Sequence, residues 1–361
     1  MRVLLLLLPG LGDALCASPL FDPLVSHAEA VDVFTMLEPV AEYARALDIF
    51  HRVFFSPLLL GRRYAFSAIR ELREQSYDLA VLPFPAARWQ YHAFLLACGA
   101  RNLLVHDYGG PISLLHRLHP HRLTVPLAGG HRTAENARLL TALALPQPTR
   151  LTYRTPRSWR SESHHEKQII GINTGSMNYK GNQAKRWPIA SFLQMADEQL
   201  ARGRTLRFFI GPNETNDAEL FMTHFGEDAR VEIVQAALDD AARSLSDCTA
   251  FVGNDAGLTQ LAAALGVPTV ALFGMTSAVR GHPLGTTVVI DAQTPCAPCH
   301  DEGSPDFRCP QRLDYRCIRE DIAVSTVNAG IEDALHGRNL THPTWDGSFR
   351  LFGKVHTTEG R

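Results

Sequence analysis

"FVGNDAGLTQLAAALGVPTVALFG", residues 251 to 274, decides how this chain folds. An apolar run ends at Gly253 and Asn254-Asp255 follows. Gly257 then opens an Ala/Leu-rich helical stretch, and a second apolar run, Thr269–Phe273, comes after it. Strand, helix and strand at this spacing make a βαβ unit, whose strands belong to a parallel sheet covered on both faces. Asp255 therefore stands at the carboxyl end of a buried strand, where open α/β sheets bind ligands. Two roles are open to it. Asp is a good helix N-cap. Alternatively, its carboxylate can accept bonds from sugar hydroxyls while the N–H groups of Asp255-Ala256-Gly257 hold an anion.

The same alternation runs outward in both directions. Val3–Leu8, Arg52–Phe55, Leu79–Leu82 and Leu103–Val105 read as strands, with helical patterns over Tyr64–Gln75 and Tyr91–Cys98. A polar, aperiodic segment, residues 152–167, reads as a linker. The pattern then restarts. Gln168–Ile172, Leu206–Ile210, Val231–Val234, Ala250–Val252 and Thr269–Phe273 are expected strands. Ile189–Ala201, Ala218–Phe225, Asp239–Ser246 and Leu258–Leu265 are expected helices. The fold class is thus α/β, with two similar doubly wound domains, 1–155 and 156–337, and a C-terminal tail, 338–361. His164, His165 and the histidines of residues 116–122 lack metal-ligand spacing and read as solvated.

Composition sets limits on function. In 361 residues, 45% are hydrophobic and 20% charged, and the formal net charge is −2. That supports a sizeable core and gives no electrostatic case for a nucleic-acid partner. No apolar run approaches the ~18 residues of a membrane span. The apolar core at the N-terminus, Val3–Leu8, is shorter than the roughly 7–15 residues of a signal peptide. The expectation is a cytoplasmic protein, with peripheral membrane contact left open. Cys16, Cys98 and Cys248, isolated in apolar segments, read as reduced core residues.

Two further stretches carry chemistry. In residues 171–192 a strand ends in Asn173-Thr174-Gly175-Ser176, a polar loop follows, and Trp187-Pro188 opens a helix. Thr174, Gly175 and Ser176 offer hydroxyl and amide donors to phosphate, and Lys185 offers a compact positive charge. The GxxxxGK[ST] pattern of a P-loop is absent. In residues 9–20, Gly10 and Gly12 permit a tight turn off the first strand, and Asp13 follows at a helix start. Asp13 is open to a capping role or to service as a general base.

Gly12-Asp13, Lys185-Arg186-Trp187-Pro188 and Gly253–Gly274, in that order, resemble glycosyltransferase family 9, the ADP-heptose heptosyltransferases of lipopolysaccharide core synthesis and their relatives. The resemblance implies a GT-B fold: two Rossmann-like domains, acceptor-side first and nucleotide-sugar-binding second, with the active site in the cleft between them. It implies that Asp13 deprotonates the acceptor hydroxyl. Lys185, with Thr174 and Ser176 nearby, would neutralise the leaving diphosphate, and Asp255 and Gly257 would hold donor sugar and phosphates. "IGPNE", residues 210–214, makes Glu214 a candidate for the ribose or adenine. Two positions depart from the family pattern: Gln260 stands where His is usual, and Ala256 where Thr or Ser is usual. Gln keeps donors and acceptors but carries no charge.

Cys296, Cys299, Cys309 and Cys317 form a C-x2-C-x9-C-x7-C pattern within a Pro/Gly-containing loop. Four thiolates suit a closed structural zinc or iron site, and reduced or redox-active thiols are the alternative. The function implied is an inverting transfer of heptose or a related sugar from an ADP-sugar to a lipopolysaccharide core, another glycan, a lipid-linked acceptor or a protein. No catalytic metal is expected. The location would be cytoplasmic, including the inner face of the inner membrane. A GT-B nucleotide-sugar epimerase and a non-catalytic nucleotide-sugar-binding protein with a structural metal are the alternatives.

Overall fold

The computed structural model describes residues 1–161, 168–176, 182–211, 214–300 and 308–338, and the strands 348–351 and 354–357. Two compact units emerge, one comprising Met1–Pro156 and the other beginning at Arg157. His164 and His165 lie outside the described residues.

In the first unit β1 (Arg2–Leu6) leads to α1 (Leu11–Cys16) and α2 (Phe21–His27). Then come β2 (Ala30–Thr35), α3 (Glu38–Ala46), β3 (Arg52–Phe55), α4 (Arg62–Glu74), β4 (Leu79–Leu82) and α5 (Trp89–Ala97). The unit ends with β5 (Asn102–Asp107), α6 (Gly110–His116), β6 (Arg122–Pro126) and α7 (Arg132–Ala142). The strand order is β3-β2-β1-β4-β5-β6, all parallel. The chain winds outward from β1 in one direction and from β4 in the other. The carboxyl ends of β1 and β4 therefore flank a topological switch point, the place where such sheets take ligands.

The second unit repeats the plan. It runs β7 (Ile169–Asn173), α8 (Ile189–Ala201), β8 (Thr205–Phe209), α9 (Thr215–Phe225), β9 (Val231–Val234), α10 (Leu238–Ser246) and β10 (Ala250–Asn254). It continues with α11 (Gly257–Ala264), β11 (Thr269–Phe273), α12 (Ala278–Gly281), β12 (Thr287–Asp291), α13 (Arg316–Arg319) and α14 (Val324–Leu335). β13 (Ser348–Leu351) and β14 (Lys354–Thr357) pair antiparallel with each other. The sheet order is β14-β13-β12-β11-β10-β7-β8-β9, so the switch point lies between β7 and β10. The segment read as a tail thus adds two strands, with β13 beside β12.

Both cores follow from the strand composition. β7, β10 and β11 are buried at every position, as parallel strands covered on both faces should be. Ile170, Ile172, Val252, Val270 and Leu272 pack against Phe192 and Met195 of α8, Phe221 of α9 and Ile331 of α14. In the first unit Leu4, Leu6, Ala80 and Leu82 pack against Ala68 and Leu72 of α4 and Phe94 and Leu95 of α5. Cys16, Cys98 and Cys248 are buried free thiols.

Two segments depart from their reading. Trp159, within the expected linker, is fully buried, and its indole N–H donates to Asp239 of α10. His116 is not solvated. It is buried, and its Nε2 lies 2.7 Å from Nδ1 of His92, because α6 packs directly on α5. Among the described residues no helix is long and apolar enough to cross a membrane.

Candidate functional site

The question at Asp255 has a structural answer. The N-cap of α11 is Ala256, which makes no side-chain capping bond. Asp255 sits one residue earlier, its own N–H donating to the carbonyl of Leu272 at 3.1 Å. Its carboxylate Oδ2 accepts from Lys185 Nζ at 2.8 Å, with both side chains largely out of solvent. Capping therefore does not explain this residue; an ion pair at the β7/β10 switch point does.

Asn254 makes the pair possible. Its Oδ1 accepts from the N–H of Trp187 at 2.9 Å, and its Nδ2 donates to the carbonyl of Thr174 at 2.9 Å. One side chain from β10 thus ties down both the loop after β7 and the start of α8, the two ends of the segment that carries Lys185. Thr259 Oγ1 donates to the Asn254 carbonyl at 2.6 Å, which fixes α11 on the same strand end. Gly253 is required for this: a Cβ there would stand 2.5 Å from Thr259 Oγ1.

A second ionic group lies beside the β7 loop. Arg186 Nη2 donates to the carbonyl of Ser176 at 2.9 Å and stands 3.3 Å from Glu214 Oε1. Glu214 Oε2 accepts from the N–H of Gly211 at 2.9 Å. Burial raises the Glu214 carboxyl above its usual value, while the Gly211 N–H and the Arg186 guanidinium pull it down. The carboxylate lies over Gly175, where a Cβ would meet Oε1 at 1.8 Å, so any larger residue would force Glu214 to move. Thr174 Oγ1 donates to Asp217 Oδ2 at 2.8 Å. A cavity of about 440 Å³ opens among Thr174, Arg186, Trp187, Pro188 and Asp217.

Thr174, Gly175, Ser176, Lys185, Glu214 and Asp255 are thus linked through one hydrogen-bonded region at the strand ends, with Ala256 and Gly257 at the head of α11. Gln260 is turned elsewhere. It is buried, and its amide donates to the carbonyl of Gly281 in α12 at 2.6 Å. Asn254, Arg186 and Asp217 belong to the region although the sequence reading did not single them out. The adjoining Asp255 and Lys185 were the signal for the first two, and nothing local marks Asp217.

In the first unit Asp13 occupies the first turn of α1, whose N-cap is Gly10. It is not a cap. The position still favours a carboxylate, since the helix N-terminus carries partial positive charge. Its Oδ1 lies 3.3 Å from Arg132 Nη1, at the first residue of α7. Asn136, one turn on, accepts from the N–H of Phe84 at 2.7 Å and donates to the carbonyls of Phe84 and Cys16. It thereby braces α7 against α1. No local pattern announces Arg132.

Cys296, Cys299, Cys309 and Cys317 line one small cavity with Met275 and Tyr315. Among the described residues, however, no three metal-ligating side chains come together as a group able to hold an ion. The expected four-thiolate centre is therefore not assembled. Cys317 is drawn into apolar packing with Ala184, Met275 and Ala292, and Cys309 Sγ accepts from the N–H of Leu313 at 3.3 Å. Burial pushes Cys317 up to about 11 and also raises Cys299. Desolvation raises Cys309 as well, but the N–H groups of Tyr315, Leu313, Gln311 and Arg312 together outweigh it and leave that thiol below its usual value.

A family model described as glycosyltransferase family 9 (heptosyltransferase) matches residues 113–306. Lipopolysaccharide heptosyltransferase 1 of Pseudomonas aeruginosa is 29% identical over 185 residues, 50% of each chain. Lipooligosaccharide heptosyltransferase 2 of Haemophilus influenzae is 31% identical over 129 residues, 35% of this chain and 36% of that one. The chain thus spans half or less of the length of these curated relatives. The solved structure of E. coli ADP-heptose lps heptosyltransferase II superposes with a TM-score of 0.70 at 19% identity, over 93% of this chain and 99% of that one. At that identity the likeness is one of fold, and it matches the pair of doubly wound units described above.

Proposed function

The chain belongs to glycosyltransferase family 9, and from that premise we propose that it transfers heptose, or a closely related sugar, from an ADP-sugar to a lipopolysaccharide-core or similar acceptor. The observation that carries the reading is the Lys185–Asp255 pair at the β7/β10 switch point, within the family-matched region. A donor diphosphate needs positive charge and N–H donors as it departs. Lys185 supplies the charge and the N-terminal end of α11 supplies the N–H groups. Asp255 is freed to accept from sugar hydroxyls once the diphosphate takes over Lys185.

In the proposed reaction the acceptor oxygen attacks the anomeric carbon as the bond to the nucleoside diphosphate breaks. The acceptor proton passes to the Asp13 carboxylate and the bonding electron pair leaves on the diphosphate. A single displacement of this kind inverts the anomeric centre. Arg132 holds the Asp13 carboxylate in place. The reading includes a cytoplasmic location, and no step is routed through a metal. The cysteine loop takes no chemical part in this reaction, although Cys317 packs with Ala184, the neighbour of Lys185. A zinc or iron ion taken up there would serve structure only, since four thiolates leave no position for substrate.

Calorimetric titration with ADP-heptose, ADP, GDP-mannose and UDP-glucose tests the donor class, and ADP release in the presence of acceptor tests transfer. Binding of ADP-heptose above the other sugars, with acceptor-dependent ADP release, supports the reading. Equal, weak binding of all four would sink it. Tight ADP-heptose binding without transfer to any acceptor would favour a binding protein.

A further inference from the structure

We propose that the outer side of α4, α5 and α6 in the first unit is a docking surface for an anionic lipid bilayer. The three helices stand side by side, α4 against α5 and α5 against α6, and the short 3-10 turn Leu58–Leu60 packs on α4. Their inner faces already supply the core through Ala68, Leu72, Phe94 and Leu95. Yet Leu59, Leu60, Phe66, Trp89, Leu114 and Leu118 are each more than half exposed, Leu118 reaching 75%. In the second unit only Leu220, Met222 and Leu313 are exposed large hydrophobics among the described residues. Apolar exposure of this density on one side of a soluble unit marks an interaction surface.

Charge identifies the occupant. Helix α4 carries Arg62, Arg63, Arg70 and Arg73 against Glu71 and Glu74, and Glu74 is paired with Arg70. Residues 79–131 contain four arginines and a single acidic residue, Asp107. That carboxylate is taken up locally by the N–H of Gly109 and the hydroxyl of Ser113. The chain as a whole carries a formal charge of −2, so the basic excess here is local. Large apolar side chains interleaved with arginine, on elements where arginine outnumbers carboxylate, match an interface where apolar groups enter the acyl boundary and cations meet anionic headgroups. A second copy of this chain would bring the same positive charge to the contact and be repelled.

The inference does not depend on the transfer reaction. The whole chain is sedimented with vesicles of phosphatidylethanolamine and phosphatidylglycerol, and in parallel with phosphatidylcholine alone. Binding to the anionic vesicles is expected to fall as salt rises. Trp89 provides a second readout in a Trp345→Phe background, because Trp159 and Trp187 are buried. Its emission should shift to the blue on vesicle addition, and Trp89→Phe should abolish the shift while the protein still sediments. The pair Leu60→Ser and Phe66→Ser should weaken vesicle binding about tenfold or more, from the loss of two buried side chains. Arg62→Gln with Arg63→Gln should weaken only the anionic-vesicle binding. Wild-type protein that stays in solution with anionic vesicles at low salt would overturn the proposal. So would equal binding to both vesicle types, or binding unchanged in the variants. If the apolar pair instead converts a dimer to a monomer in sedimentation velocity, with no vesicle binding, the surface belongs to a second copy and the proposal fails.

Discussion

Lys185 and Asp255 are separated by 70 positions in the chain, yet ammonium and carboxylate meet at 2.8 Å. They meet because β7 and β10 are neighbours in the sheet, Asp255 directly follows β10, and Asn254 ties both ends of the segment that carries Lys185 to that strand. A diphosphate arriving at Lys185 replaces one anionic partner with another. On the proposed reading Asp255 would hold the cation until the donor diphosphate takes its place.

That exchange has separable consequences. Lys185→Ala should weaken ADP and the intact donor alike, since the diphosphate is common to both. Asp255→Ala should weaken the donor more than ADP if the carboxylate holds the sugar. Each single variant also strands a largely buried charge, at a stability cost on the order of 3 kcal/mol. Lys185→Met combined with Asp255→Leu should recover much of that loss in a denaturant melt without recovering donor binding. Equal losses for ADP and donor in the Asp255 variant would assign it to holding Lys185 alone.

Asp13 and Arg132 make the second pair. Asp13→Asn should lower kcat by on the order of 10²–10⁴ with little change in donor affinity, the expectation for a lost general base. Arg132→Ala leaves the base but removes the group that orients it, and should lower kcat about tenfold at unchanged donor affinity. Arg132→Lys should restore part of the rate. Turnover near wild type in the Asn variant would remove Asp13 from the chemistry.

Gly175 permits Glu214 to sit where it does. Gly175→Ala should push the carboxylate away from the Gly211 N–H and Arg186, with a stability loss of about 1–3 kcal/mol and weaker donor binding. Removing the obstruction in Gly175→Ala/Glu214→Ala should restore stability relative to the single variant but not donor affinity. A Gly175→Ala protein with native melting behaviour would contradict the contact.

Thiol reactivity should follow local environment. In chelator-treated protein near neutral pH, iodoacetamide should modify Cys309 first, since backbone N–H groups favour its thiolate, and Cys317 much later. Cys16, Cys98 and Cys248, each pushed by burial up to about 12, should react only after unfolding. Mass spectrometry of timed samples reads the order. Elemental analysis of untreated protein addresses the loop directly. About one zinc or iron per chain, with all four loop thiols protected, would indicate that metal draws the sulfurs together.

Asp291 closes β12 with a carboxyl that burial pushes up to about 7, and among the described residues its Oδ1 has no hydrogen-bond partner. Its folded value lies above the ordinary unfolded value of about 4. The folded state therefore binds the extra proton, and stability falls as pH rises from about 4 to 7. Asp291→Asn should raise the melting temperature at pH 7 and above, with the gain vanishing towards pH 4. A gain independent of pH would point to another cause.

Much of the architecture is legible in local pattern. Thr269–Phe273 and Ile189–Ala201 have the same bounds in sequence and structure, the first as an apolar run and the second because Pro188 marks its start. β2 escaped notice because Asp32 interrupts its apolar run. Fully buried, that carboxylate accepts from His51 at 2.8 Å and Tyr77 at 2.8 Å, partners no local window contains. β6 escaped because it is an edge strand, mostly exposed, and reads as a loop.

The sequence by itself determined the alternation of strand and helix, the parallel sheets, and the placing of Asp13, Lys185 and Asp255 in strand-to-helix segments. Burial on both faces and helical periodicity are short-range signals, and each leaves its mark within a few residues. Only the tertiary structure decided the partners: Asp255 with Lys185, Asp13 with Arg132, Glu214 over Gly175, Gln260 turned to Gly281. Those choices depend on which strands become neighbours, and neighbours across a switch point are far apart in the chain. An Asp beside a helix start looks the same in sequence whether it caps that helix or meets a distant cation. The order β9-β8-β7-β10-β11-β12 settles which.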